Sequence, residues 1–192
     1  MLGKLPSSLG RALAAVRPGC EALMFNNREV VGSDVAAITI TSPAFADGGA
    51  IPRRHTADGP GLSPPLAWSD APSAARALIL LIEDADSPTM HPLVHGIVLL
   101  APDVRRLNEG ALPGATGEAD AGPAMGRNSF FTAQYLPPDP PPGHGPHRYA
   151  FEVFALAHRP SFDETLGRAR LIEELRGRVV AKGCLIGSYQ RA

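Results

Sequence analysis

Residues 78–100, LILLIEDADSPTMHPLVHGIVLL, constrain the fold more than any other stretch. Two aliphatic runs, 78–82 and 97–100, bracket a polar insert that opens Glu83-Asp84-Ala85-Asp86-Ser87-Pro88. Runs of this kind, with no polar alternation, read as strands covered on both faces, and the predicted strands span 75–83 and 94–101. Asp84 and Asp86 are two apart and share a face on an extended backbone. Pro88 has no amide proton for a ladder and helps end the first strand. His95 enters as the second run begins. Two carboxylates and a histidine at the mouth of an apolar hairpin make a candidate site, because burying such groups unpaired is costly. Solvated loop residues are the alternative reading.

The 192 residues suit one domain with a real core, and glycine and proline number 20 each, so many connections are turns or irregular loops. Ser7 and Ser8 can cap a helix over 9–16, which Pro18-Gly19 stops. Residues 1–34 read as a helical extension on a body spanning 35–192, and a chain without residues 1–30 is expected to stay folded. Residues 35–42, VAAITITS, read as a strand. Residues 51–66 are too rich in Gly and Pro for regular structure. Residues 112–125 form a Gly-rich loop, 128–135 a short strand or a loop laid against the body, and 137–146, with six prolines, an extended loop. In 147–157, Tyr149, Phe151, Val153 and Ala155 alternate with Ala150, Glu152 and Phe154, a strand with one well-buried face. Ser161-Phe162-Asp163-Glu164 matches a capping box for a helix over 162–178, and 179–189 reads as a final strand. No βαβ alternation is present. The expected fold is mainly β, an antiparallel β-sandwich with peripheral helices near both termini.

Several function classes are excluded. A formal net charge of −1 gives no general attraction for nucleic acid or anionic membranes. Cys20 and Cys184 lack CxxC spacing and read as free thiols. No apolar run approaches the ~20 residues of a membrane span. Arg11 and Arg17 interrupt the N-terminal apolar residues, so no signal peptide is read and the cytoplasm is the default location. His91 and His95 are four apart but enclose Pro92. His144 and His147 are three apart with no helix to set their geometry. Neither pair matches a metal motif, and no Walker, Rossmann or G-x-S-x-G pattern occurs. No cofactor or metal is expected.

The stronger combination is long-range. Residues 135–149, YLPPDPPPGHGPHRY, deliver His147 and Tyr149 to the start of a strand, again on one face. Beside Asp84 and Asp86 they would make a proline-walled pocket for a small anion, with His and Tyr as donors.

These segments resemble the phosphatidylethanolamine-binding protein family, also called the Raf kinase inhibitor-like family, and its bacterial members in particular. Asp58-Gly59 followed by Ser63-Pro64-Pro65-Leu66-Ala67-Trp68 resembles the family's DG…SP-x-L-x-W. Asp84-Ala85-Asp86-Ser87-Pro88 resembles DPDAP, and His95 falls where a histidine follows it. Pro140, Pro141, Gly143, Gly145, His147, Arg148 and Tyr149 resemble Y-x-G-x-x-PP-x-G-x-G-x-HRY. The resemblance runs from residue 38 to the C-terminus. Ala85 departs from it by replacing the middle proline, Leu93 a usual tryptophan, Gly96 a usual aromatic and Pro137 a glycine. A pocket without the two aromatics is expected to be wider, or refilled by Phe130 or Phe131.

The resemblance implies a β-sandwich with an anion pocket at one end, lined by Asp84, Asp86, Pro88, His95, Pro140, His147 and Tyr149. It implies a binding module for phosphate-like head groups, with no catalytic residue. Asp84 and Asp86 would orient the histidines and hold an amino head group. His95 and His147 would donate to the anion as imidazolium, so affinity would rise as pH falls. Arg148, on the opposite face, would make a structural hydrogen bond. Two other readings stay open: an interaction protein that regulates a kinase or another enzyme, and a hydrolase using Asp86 with His95 as a base pair or a metal held by them. The apolar stripe of the N-terminal helix is a candidate homodimer contact.

Overall fold

The two aliphatic runs lie side by side at the centre of a sheet. The computed structural model describes residues 2–114 and 122–191. Strands β1 (Ala36–Ala37), β2 (Ile40–Thr41) and β3 (Leu66–Trp68) precede the long pair β4 (Ala77–Asp84) and β5 (Leu93–Leu100). Then come β6 (Arg106–Leu107), β7 (Ala124–Gly126), β8 (His147–Leu156) and β9 (Val179–Tyr189). Helices α1 (Ser7–Leu13), α2 (Arg28–Val31) and α3 (Arg168–Leu175) lie near the termini in sequence. The larger sheet runs β1-β9-β8-β4-β5-β7, antiparallel apart from the β1–β9 pair, and the smaller runs β2-β3-β6. The fold is mainly β with peripheral helices, as expected. Of the Gly-rich loop at 112–125, residues 115–121 lie outside the described residues, and its end forms β7.

Every residue of β4 and β5 is buried, because the larger sheet is covered on both faces. On one face Leu78, Leu80, Ile82, Phe151 and Val153 meet Ile40, Leu66 and Trp68 of the smaller sheet. On the other, Ile79, Leu81, Ile97 and Phe154 meet Met24, Val30, Val31, Leu171 and Leu175. Each large aliphatic side chain so buried contributes roughly 1.5–3 kcal/mol of transfer free energy.

Four expectations are corrected. Residues 23–31 belong to the body rather than to an extension: Leu23, Met24, Val30 and Val31 are buried. Their backbone also meets buried glutamates. Met24 N–H donates to Glu83 Oε2 at 2.9 Å and Phe25 N–H to Glu152 Oε2 at 3.2 Å. Strand β8 is therefore buried on both faces, and Glu152, on the side read as less buried, is fully enclosed. The helix expected over 162–178 is only α3. Asp163 Oδ1 accepts from Thr165 N–H and Oγ1–H, and Gly167 is extended (φ −103°, ψ −177°), so the turn stays separate from the helix. The strand expected over 35–42 splits into β1 and β2 because the chain crosses from one sheet to the other.

Candidate anion-binding site

The apolar face between the sheets runs out into polar groups at one end. Asp84 follows Leu80 and Ile82 at two-residue spacing and pairs with Tyr149 across the β4–β8 ladder. His147 precedes Tyr149 at the same spacing and pairs with Tyr189. His95 joins them through a break in register. Ile82 pairs with Gly96 and Glu83 with Val94, so His95 is an extra residue in β5. Without that bulge His95 would share a face with Ile97, which packs under the helical layer. The bulge re-aims it, and its ring meets Tyr149 edge-on at 5.2 Å between centroids.

Hydrogen bonds fix the tautomers. His144 Nε2–H donates to the Leu13 carbonyl at 2.9 Å, which leaves Nδ1 as an acceptor. Arg17 Nη2 and His147 Nε2 both approach that Nδ1, at 3.4 and 2.8 Å. A guanidinium only donates, which confirms the assignment, so His147 Nε2–H donates to His144. His147 Nδ1 lies 2.7 Å from Asp84 Oδ2, and one proton sits between them. The Asp84–His147 pair thus has no net charge, and both imidazole nitrogens are engaged within the protein. Burial, then His147 and Arg17, hold His144 below the usual histidine value, which agrees with a neutral acceptor ring.

His95 is different. Its Nδ1–H donates to the Leu136 carbonyl at 2.7 Å, so in the neutral ring Nε2 carries the lone pair. Burial pushes its pKa below the usual range, with Asp84 and the Leu136 carbonyl offsetting only part of this. Two phenols complete the end of the face. The Tyr135 and Tyr149 hydroxyls are buried and meet no hydrogen-bond partner among the described residues. Burial raises the Tyr149 pKa, and Asp84, Asp139 and Tyr135 are near enough to raise it further.

The expected residues divide into two groups. The structure brings together Asp84, His95, His147 and Tyr149. Asp86 turns away and is buried on Arg148, accepting its Nε–H and Nη2–H at 2.7 Å each and its backbone N–H at 2.9 Å. Burial opposes its charge, but Arg148 more than compensates and keeps the carboxyl below its usual range. Pro140 is buried in the loop, where its carbonyl accepts from Arg191 Nη1. Arg191 also binds Asp139, and with Tyr189 it binds Asp58. Sequence reasoning missed this brace on the proline loop, although Asp58 stands in a motif it quoted. It also missed Tyr135 as a donor and His144 as the partner of His147.

The sequence model described as phosphatidylethanolamine-binding protein matches residues 41–190. The chain belongs to the phosphatidylethanolamine-binding protein family. A Chlamydia trachomatis relative, named a UPF0098 protein, is 36% identical over 157 residues, covering 79% of this chain and 98% of its own. A Mycobacterium tuberculosis relative is 36% identical over 183 residues, 94% of this chain and 83% of its own. Among solved structures, a Chlamydia trachomatis phosphatidylethanolamine-binding protein homolog superposes with a TM-score of 0.72 at 35% identity, over 81% of this chain and 99% of that one. Escherichia coli YbcL, described as a new member of the mammalian family, gives 0.73 at 25% identity, with the same coverage of each chain.

The departures from the family pattern have local explanations. Ala85 N–H donates to the Arg148 carbonyl at 2.9 Å, a bond that a proline there could not make. A side chain at Gly96 would meet Met125 Cε at 3.4 Å and Ile82 Cδ1 at 3.7 Å, so those residues and Tyr135 fill the space. Phe130 and Phe131 do not refill it, being 37% and 77% exposed. Leu93 lines, with Pro88, Met90 and Phe130, a separate cleft of about 460 Å³. Replacing Leu93 by Trp should therefore fill open space. The melting temperature should move by no more than a few degrees, against the ~1–3 kcal/mol that overpacking costs in a closed core. A large drop in a thermal melt would show that the cleft wall is already packed.

Proposed function

We propose that the chain binds a small oxyanion, phosphate or a phosphorylated head group, at the common end of β4, β5 and β8, and does not turn it over. The observation that carries this reading is the pair of buried, unpartnered hydroxyls of Tyr135 and Tyr149. Leaving a buried hydroxyl unmet costs about 1–3 kcal/mol, and ligand oxygens accepting from both would remove that cost. The surrounding charges agree. His147 neutralises Asp84, and Arg148 neutralises Asp86, so neither carboxylate repels an anion as a free one would. His95, neutral in the free protein, gains a proton when an anion settles beside it, because a nearby negative charge favours imidazolium.

Titration calorimetry from pH 8 to pH 6 tests this with sulfate, whose charge is constant there, beside phosphate. Sulfate affinity should rise as pH falls, by up to about tenfold per unit for one linked proton, with measurable proton uptake. His95→Ala should flatten the rise. Sulfate binding that ignores pH would remove the charged-histidine mechanism, and failure of both anions to bind would sink the anion reading.

A second reading, a surface that engages a protein partner, is supported by the exposed apolar groups at the Leu93 cleft and in the loop beside it. Met90 is 88% exposed, and Phe131 stands at φ 63°, unusual for a residue other than glycine. Asn128 holds that loop through Thr132, Gln134 and Phe130. An ordered loop presenting apolar side chains supports that reading.

A further inference from the structure

The part of the N-terminal segment that stays peripheral lies directly on the histidine pair. Leu13 supplies the carbonyl that fixes His144. Arg17 Nη1 donates to the Pro146 carbonyl at 2.7 Å, Nη2 to the His144 carbonyl, and Nη1 lies 3.4 Å from Asp86 Oδ1. Before these contacts in the chain, α1 touches the proline loop backbone to backbone. A Cβ at Gly10 would fall 2.0 Å from the Pro142 carbonyl oxygen, and one at Gly143 would fall 2.6 Å from the Ser7 oxygen.

This contact differs in kind from the packing of residues 23–31. Gly10 is the one buried residue of α1, and Leu9 and Val16 are each 42% exposed. The segment is held by a few hydrogen bonds and a glycine contact, with little apolar burial. Segments held this way open at low free energy while the rest of the fold persists. The family model begins at residue 41, and the alignment with the Mycobacterium tuberculosis relative, over 94% of this chain, extends beyond it toward the N-terminus.

We propose that residues 2–17 are a built-in cover on the anion site, which turns His147 away from the ligand through His144, so that lifting the cover tightens anion binding. This rests on the anion-binding reading above. With the cover in place, His147 Nε2–H is directed at His144. The groups around its ring are Asp84 from β4, His95 from β5, Tyr149 from β8, His144 from the loop and Arg17 from the cover. When Leu13 and Arg17 leave, His144 Nε2–H loses its acceptor and its tautomer is no longer fixed. His147 Nε2–H can then serve an anion as a second donor.

The test keeps the full chain and alters residues of the cover alone. Gly10→Leu cannot sit against the Pro142 carbonyl, and Arg17→Ser removes the other anchor. Hydrogen exchange over residues 7–17 reports whether the cover lifts. Long-range proton–nitrogen spectra report the His144 and His147 rings. Calorimetry with sulfate reports affinity. The expected result is rapid exchange over 7–17, shifted imidazole signals, and about tenfold tighter sulfate binding in either variant. Unchanged protection in both variants overturns the proposal, as do unmoved imidazole signals once the segment exchanges freely. Unchanged or weaker sulfate affinity in a variant that has lifted also overturns it, while the anion reading survives. If neither the variants nor the parent bind sulfate or phosphate, the anion reading fails and the affinity claim fails with it.

Discussion

A chain lacking residues 1–30 will not fold. The deletion removes Leu23, Met24 and Val30, which are buried, and leaves Val31 at a raw end. Truncating one such side chain to Ala costs about 2–5 kcal/mol when the cavity cannot collapse. Losing three, with the backbone that carries them, is comparable with the roughly 5–15 kcal/mol that stabilises a whole domain. The polar losses add to this. Glu83 loses the Met24 N–H, Glu152 loses the Phe25 N–H, and Lys182 Nζ loses the Phe25 carbonyl. A chain lacking only residues 2–17 loses almost no apolar burial and should melt within a few degrees of the parent. Far-UV circular dichroism during heating separates the two truncations. A cooperative melt near the parent's temperature for the shorter chain would show that residues 20–30 are dispensable.

The sequence reading went wrong there for a physical reason. Residues 20–26 make two 3₁₀ turns, too short to show a helical period, and their apolar side chains follow no stripe that a periodicity argument detects. The long strands were legible because β4, β5, β8 and β9 each run for 8–11 residues with a consistent pattern. His147 and Tyr149 were legible because two-residue spacing on a strand puts them on one face, whereas the same argument for Asp84 and Asp86 failed because β4 ends at Asp84 and Asp86 turns onto Arg148. His95 was legible from its place at the mouth of the apolar hairpin, but its facing depends on a bulge that leaves no mark in the residue types. The tautomer chain depends on Leu13, 131 positions away from His144 in sequence, and on a carbonyl that any residue would supply. Glu152 was misjudged because a charged residue at an alternating position reads as a solvent-facing one. In the fold that position is roofed by the segment whose pattern was invisible.

Glu152 should in turn make the protein less stable as pH rises above the ordinary carboxylate range. Burial is the first cause that raises its pKa well above the ordinary carboxylate value, and the neighbouring Glu83 is the second. Phe25 N–H, Arg168 and Lys182 pull it back only in part. A carboxyl whose folded pKa lies above its unfolded value, near ~4.3, stabilises the fold in its acid form. That contribution is complete below the unfolded value and is lost as pH climbs through the folded one, at about 1.4 kcal/mol per pH unit within the window. Glu83 acts in the same direction, raised by burial and only partly restrained by Arg168. Asp86, with its lowered pKa, acts at the acid end, where stability is lost as pH falls. Glu152→Gln keeps the shape and an oxygen for the Phe25 N–H while removing the ionisation. The variant should be more stable than the parent at pH 7.5, by on the order of 1–3 kcal/mol and so by several degrees in melting temperature. The advantage should vanish near pH 4.5, where the parent's carboxyl is already protonated. Urea unfolding at both pH values measures it. A variant less stable than the parent at pH 7.5 would mean that Glu152 is ionised in the fold and held by Lys182 and Arg168, and that the N-terminal roof is fastened by charge rather than by a neutral acid.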